Sequence, residues 1–277
     1  MHISLGEERL GLARWGRVVA GLLALLFAMT AWAADDLKLA TTTSTENSGL
    51  LGVILPKFEA KYGGKVRVIA VGTGAALKIG EKGDADVLLV HARSLEDKFM
   101  AAGFGSVRKD VMYNDFIIVG PKSDPAGVRG SKDVIAAMKK ISASGAKFVS
   151  RGDESGTHQM EKDYWKAAGV EAKGAWYVSA GQGMGQVLTM AGQLEGYTLT
   201  DRATYAAYKD KTGLETLVEG DPKMFNPYGV IAVNPQKHPG INNKGAMAFV
   251  DWLTSAEGRK AIVDFKINGV QMFFLPK

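Results

Sequence analysis

From Leu37 onward, short β-rich runs alternate with helix-patterned segments, and this alternation narrows the choice of fold more than any other feature. The strand-like runs are Leu37–Thr43, Lys65–Val71, Asp86–Val90, Met112–Val119, Lys147–Val149, Ala175–Val178, Gly196–Leu199, Leu214–Val218 and Val230–Asn234. Between and after them lie helical patterns over Ser48–Tyr62, Gly74–Gly80, Leu95–Ala102, Lys132–Ile141, Ser155–Ala168, Met184–Gln193, Arg202–Lys209, Lys244–Thr254 and Ala256–Phe265. The helical period is clear in Leu50, Leu51, Ile54, Leu55 and Phe58, and again in Met247, Phe249, Val250 and Leu253. Such alternation implies α/β layering on mostly parallel sheets. Val119-Gly120-Pro121 and Asn226-Pro227-Tyr228-Gly229 are turn-prone and adjoin strands. Cutting there predicts two lobes joined by two crossovers: residues 34–119 plus 229–277 in one, residues 120–228 in the other. A single α/β domain with ordinary loops fits the raw periodicity equally well.

Residues 1–33 read as a secretory signal peptide. Arg9, Arg14 and Arg17 precede an apolar run from Val18 to Met29, and Ala31-Trp32-Ala33 supplies the small residues of a cleavage site. The run is roughly a dozen residues, against the ~20 needed to span a bilayer. An uncleaved anchor is the competing reading. No twin-Arg pair precedes the run, which favours the general secretion route. The chain contains no cysteine, which excludes disulfides, thiolate metal sites, a thiol nucleophile and a lipidated N-terminal cysteine. A soluble periplasmic protein is expected. The net charge of +5 is spread without any Lys/Arg run, so no nucleic-acid partner is indicated, although a positive field helps to draw in an anion.

Four loops between strands and helices carry the chemistry. Thr41-Thr42-Thr43-Ser44-Thr45 places five hydroxyl residues ahead of a helix. Asn47 or Ser48 can serve as N-cap, leaving Thr42, Thr43 and Ser44 to turn donors toward the carboxyl edge of a sheet, where open α/β folds bind ligands. A helix start at that edge adds unsatisfied N–H groups and partial positive charge. Gly72-Thr73-Gly74 repeats the arrangement, with Thr73 as hydroxyl donor and Gly74 allowing close approach; a tight strand-to-helix turn explains it equally well. Neither a Gly-x-Gly-x-x-Gly nor a Lys-Ser/Thr ending is present, so no nucleotide is indicated.

In Ser150-Arg151-Gly152-Asp153-Glu154-Ser155-Gly156-Thr157, Arg151 is a permanent cation with a fork of donors suited to oxyanions. Ser155, Gly156 and Thr157 would add hydroxyls and backbone N–H groups. Asp153 can either orient Arg151 or accept a proton from the ligand. Gly183 and Met184, in Gly181–Gln186, are either a structural turn or a further source of backbone N–H groups. Ser155 next to His158 invites a serine-hydrolase reading, but the Gly-x-Ser-x-Gly elbow is absent and neighbours on a helix do not face each other. His2, His91 and His238 share no ligand spacing with His158, so no metal site is expected. Asn114, Asp115, Tyr197, Asp201 and Tyr228 sit near strand ends, where they either close a cleft or face water. Phe225, Trp252, Phe265, Phe273 and Phe274 read as core.

In Leu39–Thr45, Val68–Gly74, Gly83-Asp84-Ala85-Asp86-Val87-Leu88, Val111-Met112-Tyr113-Asn114-Asp115-Phe116, Ser150–Asp153 with Ser155–His158, and Phe225-Asn226-Pro227-Tyr228-Gly229-Val230, the chain resembles the TupA family, the tungstate-binding components of ABC importers. The resemblance runs over essentially the whole chain past the leader. It implies an α/β, two-lobed periplasmic binding protein fold of type II, with a ligand cleft between the lobes. It also implies a monomeric carrier with no enzyme activity and no cofactor, an ABC permease and its ATPase as partners, and tungstate as ligand, with molybdate as an alternative of almost the same size. By motif match the Thr42 region, with Thr43 and Ser44, and Thr73 would bind from one lobe, and Arg151 with Ser155, Gly156 and Thr157 from the other. Gly74, Gly183 and Met184 stay candidates on their loop chemistry alone. One departure is Glu195-Gly196-Tyr197, where the family pattern has Ala before the Tyr. Tungstate is dianionic and carries no proton near neutral pH, so its site should be rich in donors, with Asp153 holding Arg151. An Arg-x-Asp-x-Ser-Gly-Thr pattern also resembles phosphate-binding proteins, which keeps phosphate as a rival.

Overall fold

The computed structural model describes residues 34–276; the leader expected over residues 1–33 lies outside them. Among the described residues, a seven-stranded sheet runs in the order β2-β1-β3-β9-β4-β7, with β8 also on β4. The strands are β1 (Leu37–Thr42), β2 (Val66–Val71), β3 (Val87–Val90), β4 (Gly105–Gly120), β5 (Phe148–Ser150), β6 (Tyr177–Ser179), β7 (Thr198–Asp201), β8 (Glu215–Val218) and β9 (Phe225–Val233). A terminal hairpin adds β10 (Lys266–Ile267) and β11 (Val270–Gln271). The helices are α1 (Thr43–Asn47), α2 (Leu50–Tyr62), α3 (Thr73–Glu81), α4 (Arg93–Ala101), α5 (Val134–Ser144), α6 (Gly156–Ala168), α7 (Met184–Gln193), α8 (Arg202–Thr212), α9 (Asn243–Thr254) and α10 (Ala256–Val263).

The sheet is mixed, which corrects the expectation of mostly parallel pairing. β1 pairs in parallel with β2 and β3, but β3–β9, β4–β9, β4–β7 and β4–β8 are antiparallel. The cause is the length of β4 and β9. The Asn226–Gly229 segment expected as a turn is strand, registered Asn114↔Asn226 and Met112↔Tyr228, so the two crossovers zip together as one antiparallel ribbon.

Side-chain alternation on these strands shows why the sheet is covered on both faces. In the first lobe Leu39, Val87, Leu89, Val230 and Ala232 face a core with Phe58 of α2 and Phe249 and Leu253 of α9. Their neighbours Ala40, Leu88, Val90, Ile231 and Val233 face Ala76 and Leu77 of α3 and Phe99 of α4. The second lobe repeats the pattern on the far end of β4. Phe116 and Ile118 pack against α5 and α6, while Ile117 and Val119 pack against Met184, Val187 and Leu188 of α7. Strands buried on both faces read as continuous apolar runs, as Ile117–Val119 and Val87–Val90 do. Trp252, Phe265 and Phe273 are core as expected, but Phe225 and Phe274 are 49 % and 42 % exposed. Both lie against Tyr113 of the crossover ribbon, Phe274 stacked on its ring and Phe225 tilted to it.

The Gly196 departure has a packing reason. A Cβ there would lie 2.9 Å from the Lys147 carbonyl oxygen, beside the Tyr197 N–H to Lys147 O bond.

Candidate functional site

Four helices begin at the carboxyl ends of strands with their first turns close together. α1 follows β1 directly, α3 follows β2, α6 follows β5, and α7 follows β6. Each helix start leaves backbone N–H groups without intrahelical acceptors and carries partial positive charge. At α3 and α7 the N-caps are Gly72 and Gly183, which supply no side-chain acceptor, so those amides stay open to a ligand.

In the first loop the three predicted hydroxyls divide into different jobs. α1 is a helix where a loop was expected, because Thr42 rather than Asn47 or Ser48 is its N-cap, accepting from Thr45 N at 3.2 Å. The Thr42 hydroxyl also meets Thr45 Oγ1 at 2.6 Å and Ser44 Oγ at 3.1 Å. Ser44 Oγ lies 3.1 Å from Nε2 of His91. Thr43 points the other way, and its Oγ1 accepts from Arg151 Nη2 at 3.0 Å. As an acceptor there, Thr43 keeps its own proton for another partner.

Arg151 is 1 % exposed. Its Nη2 also donates to Asp153 Oδ2 at 2.5 Å, while Asp153 Oδ1 accepts from Ser155 N at 3.2 Å. Asp153 therefore holds the guanidinium, as its sequence position suggested, with both oxygens engaged. Nε and Nη1 of Arg151 have no protein acceptor, and neither do the buried hydroxyls of Thr73 and Thr157. Buried donors without partners are costly, so their collection at one place makes this the candidate binding site. The loop is held from beneath by Glu161, which sequence reasoning missed. Its carboxyl accepts from Ser150 Oγ at 2.7 Å, Trp165 Nε1 at 3.0 Å and Tyr177 Oη at 2.9 Å. Ser150 Oγ accepts in turn from Gly152 N. Burial raises the Glu161 pKa. The i,i+4 spacing of Glu161 and Trp165 on α6 was the available signal.

The lobes meet at glycines. A Cβ on Gly156 would lie 3.0 Å from the His91 carbonyl oxygen and 3.2 Å from Thr73 Oγ1. One on Gly74 would lie 3.2 Å from the Glu154 carbonyl oxygen, and one on Gly183 3.4 Å from Thr43 Oγ1. Gly152 adopts φ +60°, where a Cβ would run into Ser179 Oγ, so the turn that aims Arg151 requires glycine. Thr43, Thr73, Gly74, Arg151, Gly156, Thr157 and Gly183 thus converge. The Met184 side chain is fully buried with Val187 and Leu188, so only its backbone amide is left for a ligand. Ser155 is the N-cap of α6, its hydroxyl accepting from His158 N at 3.2 Å. The His158 ring accepts from Glu154 N through Nδ1, so Ser155 and His158 form no proton relay.

Beside the cluster a cleft of about 330 Å³ opens between His91–Ser94, α6 and Phe225–Pro227. A wider groove of about 770 Å³ at Tyr113, Arg202, Phe225 and Phe274 touches none of the anion donors. Among the described residues no group of His, Asp and Glu is arranged to hold a metal ion, and no helix is long and apolar enough to cross a membrane.

Residues 30–257 match the family model of the PBP superfamily domain. A tungstate-binding protein TupA of Peptoclostridium acidaminophilum is 50 % identical over 235 residues, covering 84 % of this chain and 82 % of its own. Among solved structures, the tungstate ABC transporter of Geobacter sulfurreducens is 59 % identical with a TM-score of 0.77, covering 83 % of this chain and 98 % of its own. The tungstate-binding protein TupA of Desulfovibrio alaskensis G20 is 49 % identical with a TM-score of 0.73, covering 88 % and 99 %. The chain belongs to the PBP superfamily and, within it, to the TupA family.

Proposed function

We propose that this chain is a periplasmic binding protein that captures tungstate between its lobes and delivers it to the permease and ATPase of an ABC importer. The observation that carries this reading is the buried Arg151 guanidinium, with Nε and Nη1 unpaired in the company of the unpaired Thr73 and Thr157 hydroxyls. Together with Thr43 and the open amides of α3, α6 and α7, these groups would surround a tetrahedral oxyanion. Each charge-assisted bond contributes roughly 1.5–3 kcal/mol net. Exclusion of water strengthens all of them by lowering the local dielectric.

The same geometry argues for an anion without protons. Hydrogen phosphate needs an acceptor for its proton, and Asp153, the carboxylate beside Arg151, is held by the guanidinium and the Ser155 amide. Tungstate and molybdate need only donors. We place the lobe exchange within the zipped segment of β4 and β9, at Asn114–Asp115 and Phe225–Asn226, because side chains from Phe116 onward pack in the second lobe. Export by a cleaved leader and a monomeric state complete the reading.

Titration calorimetry against tungstate, molybdate, sulfate and phosphate tests it. Tight binding of tungstate with no phosphate heat is the expected result. Arg151→Ala should weaken tungstate at least about tenfold in a protein that stays folded. Phosphate binding without tungstate binding would sink the proposal.

A further inference from the structure

A closed chain of buried polar groups runs from the anion cluster through both crossovers and back. Ser44 Oγ meets His91 Nε2 at 3.1 Å, and His91 Nδ1 meets Asn226 Oδ1 at 3.0 Å. Asn226 Nδ2 donates to Asn114 Oδ1 at 2.7 Å, and Asn114 Nδ2 donates to Asp201 Oδ1 at 3.3 Å. Asp201 Oδ1 accepts from Thr204 N at 2.9 Å, and Thr204 Oγ1 donates to the Ser44 carbonyl at 3.0 Å. Ser44, Asn114, Asp201, Thr204 and Asn226 are at most 2 % exposed and His91 is 4 %. Ser44 and His91 belong to the first lobe, Asp201 and Thr204 to the second, and Asn114 and Asn226 to the β4–β9 ribbon. Within this ring the Thr204–Ser44 contact joins the two lobes directly, as the Arg151–Thr43 bond does at the anion cluster.

The direction of every proton in this ring follows from one end. Burial raises the Asp201 pKa, but Oδ1 accepts from the Thr204 amide, and any proton on the carboxyl belongs on Oδ2, which has no partner. Asn114 therefore presents its Nδ2 to Oδ1 and its own Oδ1 to Asn226. Asn226 must then present Nδ2 to Asn114 and Oδ1 to His91, which makes His91 Nδ1 the protonated nitrogen. Burial holds His91 neutral, pushing its pKa down to about 4. Its Nε2 is therefore bare and accepts the only proton Ser44 has.

We propose that Asp201, Asn114, Asn226 and His91 are positioning residues forming a proton-ordered ring, which turns the Ser44 hydroxyl away from the anion and latches the lobes shut through Thr204. The proposal rests on the anion-binding reading for its functional consequence, whereas the proton order stands without any ligand. Ser44 thus supports the site, and Thr43, whose proton is free, is the hydroxyl of that loop that reaches the anion.

Thr204→Val removes the latch with little change of shape, and Thr204→Ser restores its hydroxyl. Folding does not depend on that hydroxyl, because the Ser44 carbonyl also accepts from Ser48 N, and the Thr204 amide still caps α8 through Asp201. Stopped-flow release of tungstate should be about fivefold faster in Thr204→Val and near wild type in Thr204→Ser, with the thermal midpoint of the ligand-free protein unmoved. Nitrogen-15 NMR of the histidines in ligand-free protein should show His91 as the Nδ1–H tautomer. Wild-type release rates in Thr204→Val, failure of Thr204→Ser to restore them, or an Nε2–H tautomer would each overturn the ring. A wild-type protein that binds no tungstate would instead count against the function, and the NMR result would still judge the proton order.

Discussion

His91 shows most clearly what burial does to a single side chain here. It stacks on Tyr228 with ring centroids 4.7 Å apart and is closed in by Ser44 and Asn226. Burial is the main cause of its lowered pKa, and the nearby Arg151 charge adds to it. The sign of the consequence follows. An unfolded chain takes up a proton on this imidazole as the pH falls through 6.5, whereas the native protein does so only near 4. The unfolded state then binds more protons, so stability is full above pH 6.5 and falls as the pH drops from 6.5 to 4. The window corresponds to about 3 kcal/mol. Urea melts between pH 4.5 and 7.5 should show this slope, and His91→Gln should flatten it. Equal slopes in the two proteins would mean that other groups carry the acid sensitivity. In sequence His91 was an isolated histidine after a strand. Its partners Ser44 and Asn226 are 47 and 135 residues away, a separation that no local pattern encodes.

At the scale of elements, the helix starts were legible wherever local chemistry decides them. Ser155 and the Met184 boundary came directly from hydroxyl and glycine punctuation, and both hold within a residue. What failed locally was the crossover ribbon. Asn226-Pro227-Tyr228-Gly229 carries turn residues, yet it is strand because β4 supplies a full antiparallel partner along Met112–Asp115. Tertiary pairing overrides propensity there. α1 was missed for a related reason: five hydroxyl residues favour a helix poorly, and the segment is helical because Thr42 caps it and the Ser48 amide closes on the Ser44 carbonyl. The cap of α6 separates a support role from a contact role. If Ser155 only caps, Ser155→Ala should lower ligand-free stability by about 1 kcal/mol, as loss of an N-cap does, and weaken tungstate only a few-fold. Affinity lost without any change in the denaturation midpoint would instead place the hydroxyl on the anion.

For the whole molecule the deciding feature is that the two lobes touch through glycine. The composition of the loops announced an anion, and the resemblance implied the fold, but the interlobe fit rests on contacts between residues far apart in the chain, such as Gly156 with Thr73 and His91. In sequence Gly156 was a candidate amide donor; its geometry makes it a spacer as well. Its φ is not in the left-handed region, so a side chain is tolerable on the helix itself. The obstacle lies across the cleft, where the His91 carbonyl and Thr73 Oγ1 stand 3.0 and 3.2 Å from the Cβ position. Gly156→Val should therefore leave each lobe folded, with an unchanged ligand-free melting midpoint, yet prevent the final approach of α6 to α3. Closure that is incomplete by even an ångström separates Arg151 and Thr157 from Thr43 and Thr73, so the anion loses donors from one side. The loss of one or two charge-assisted bonds corresponds to at least about tenfold in affinity. Small-angle scattering separates this cause from a damaged amide. Saturating tungstate should compact the wild-type protein and leave Gly156→Val expanded. A variant that compacts fully and still binds weakly would show that the glycine serves the anion and not the closure of the lobes.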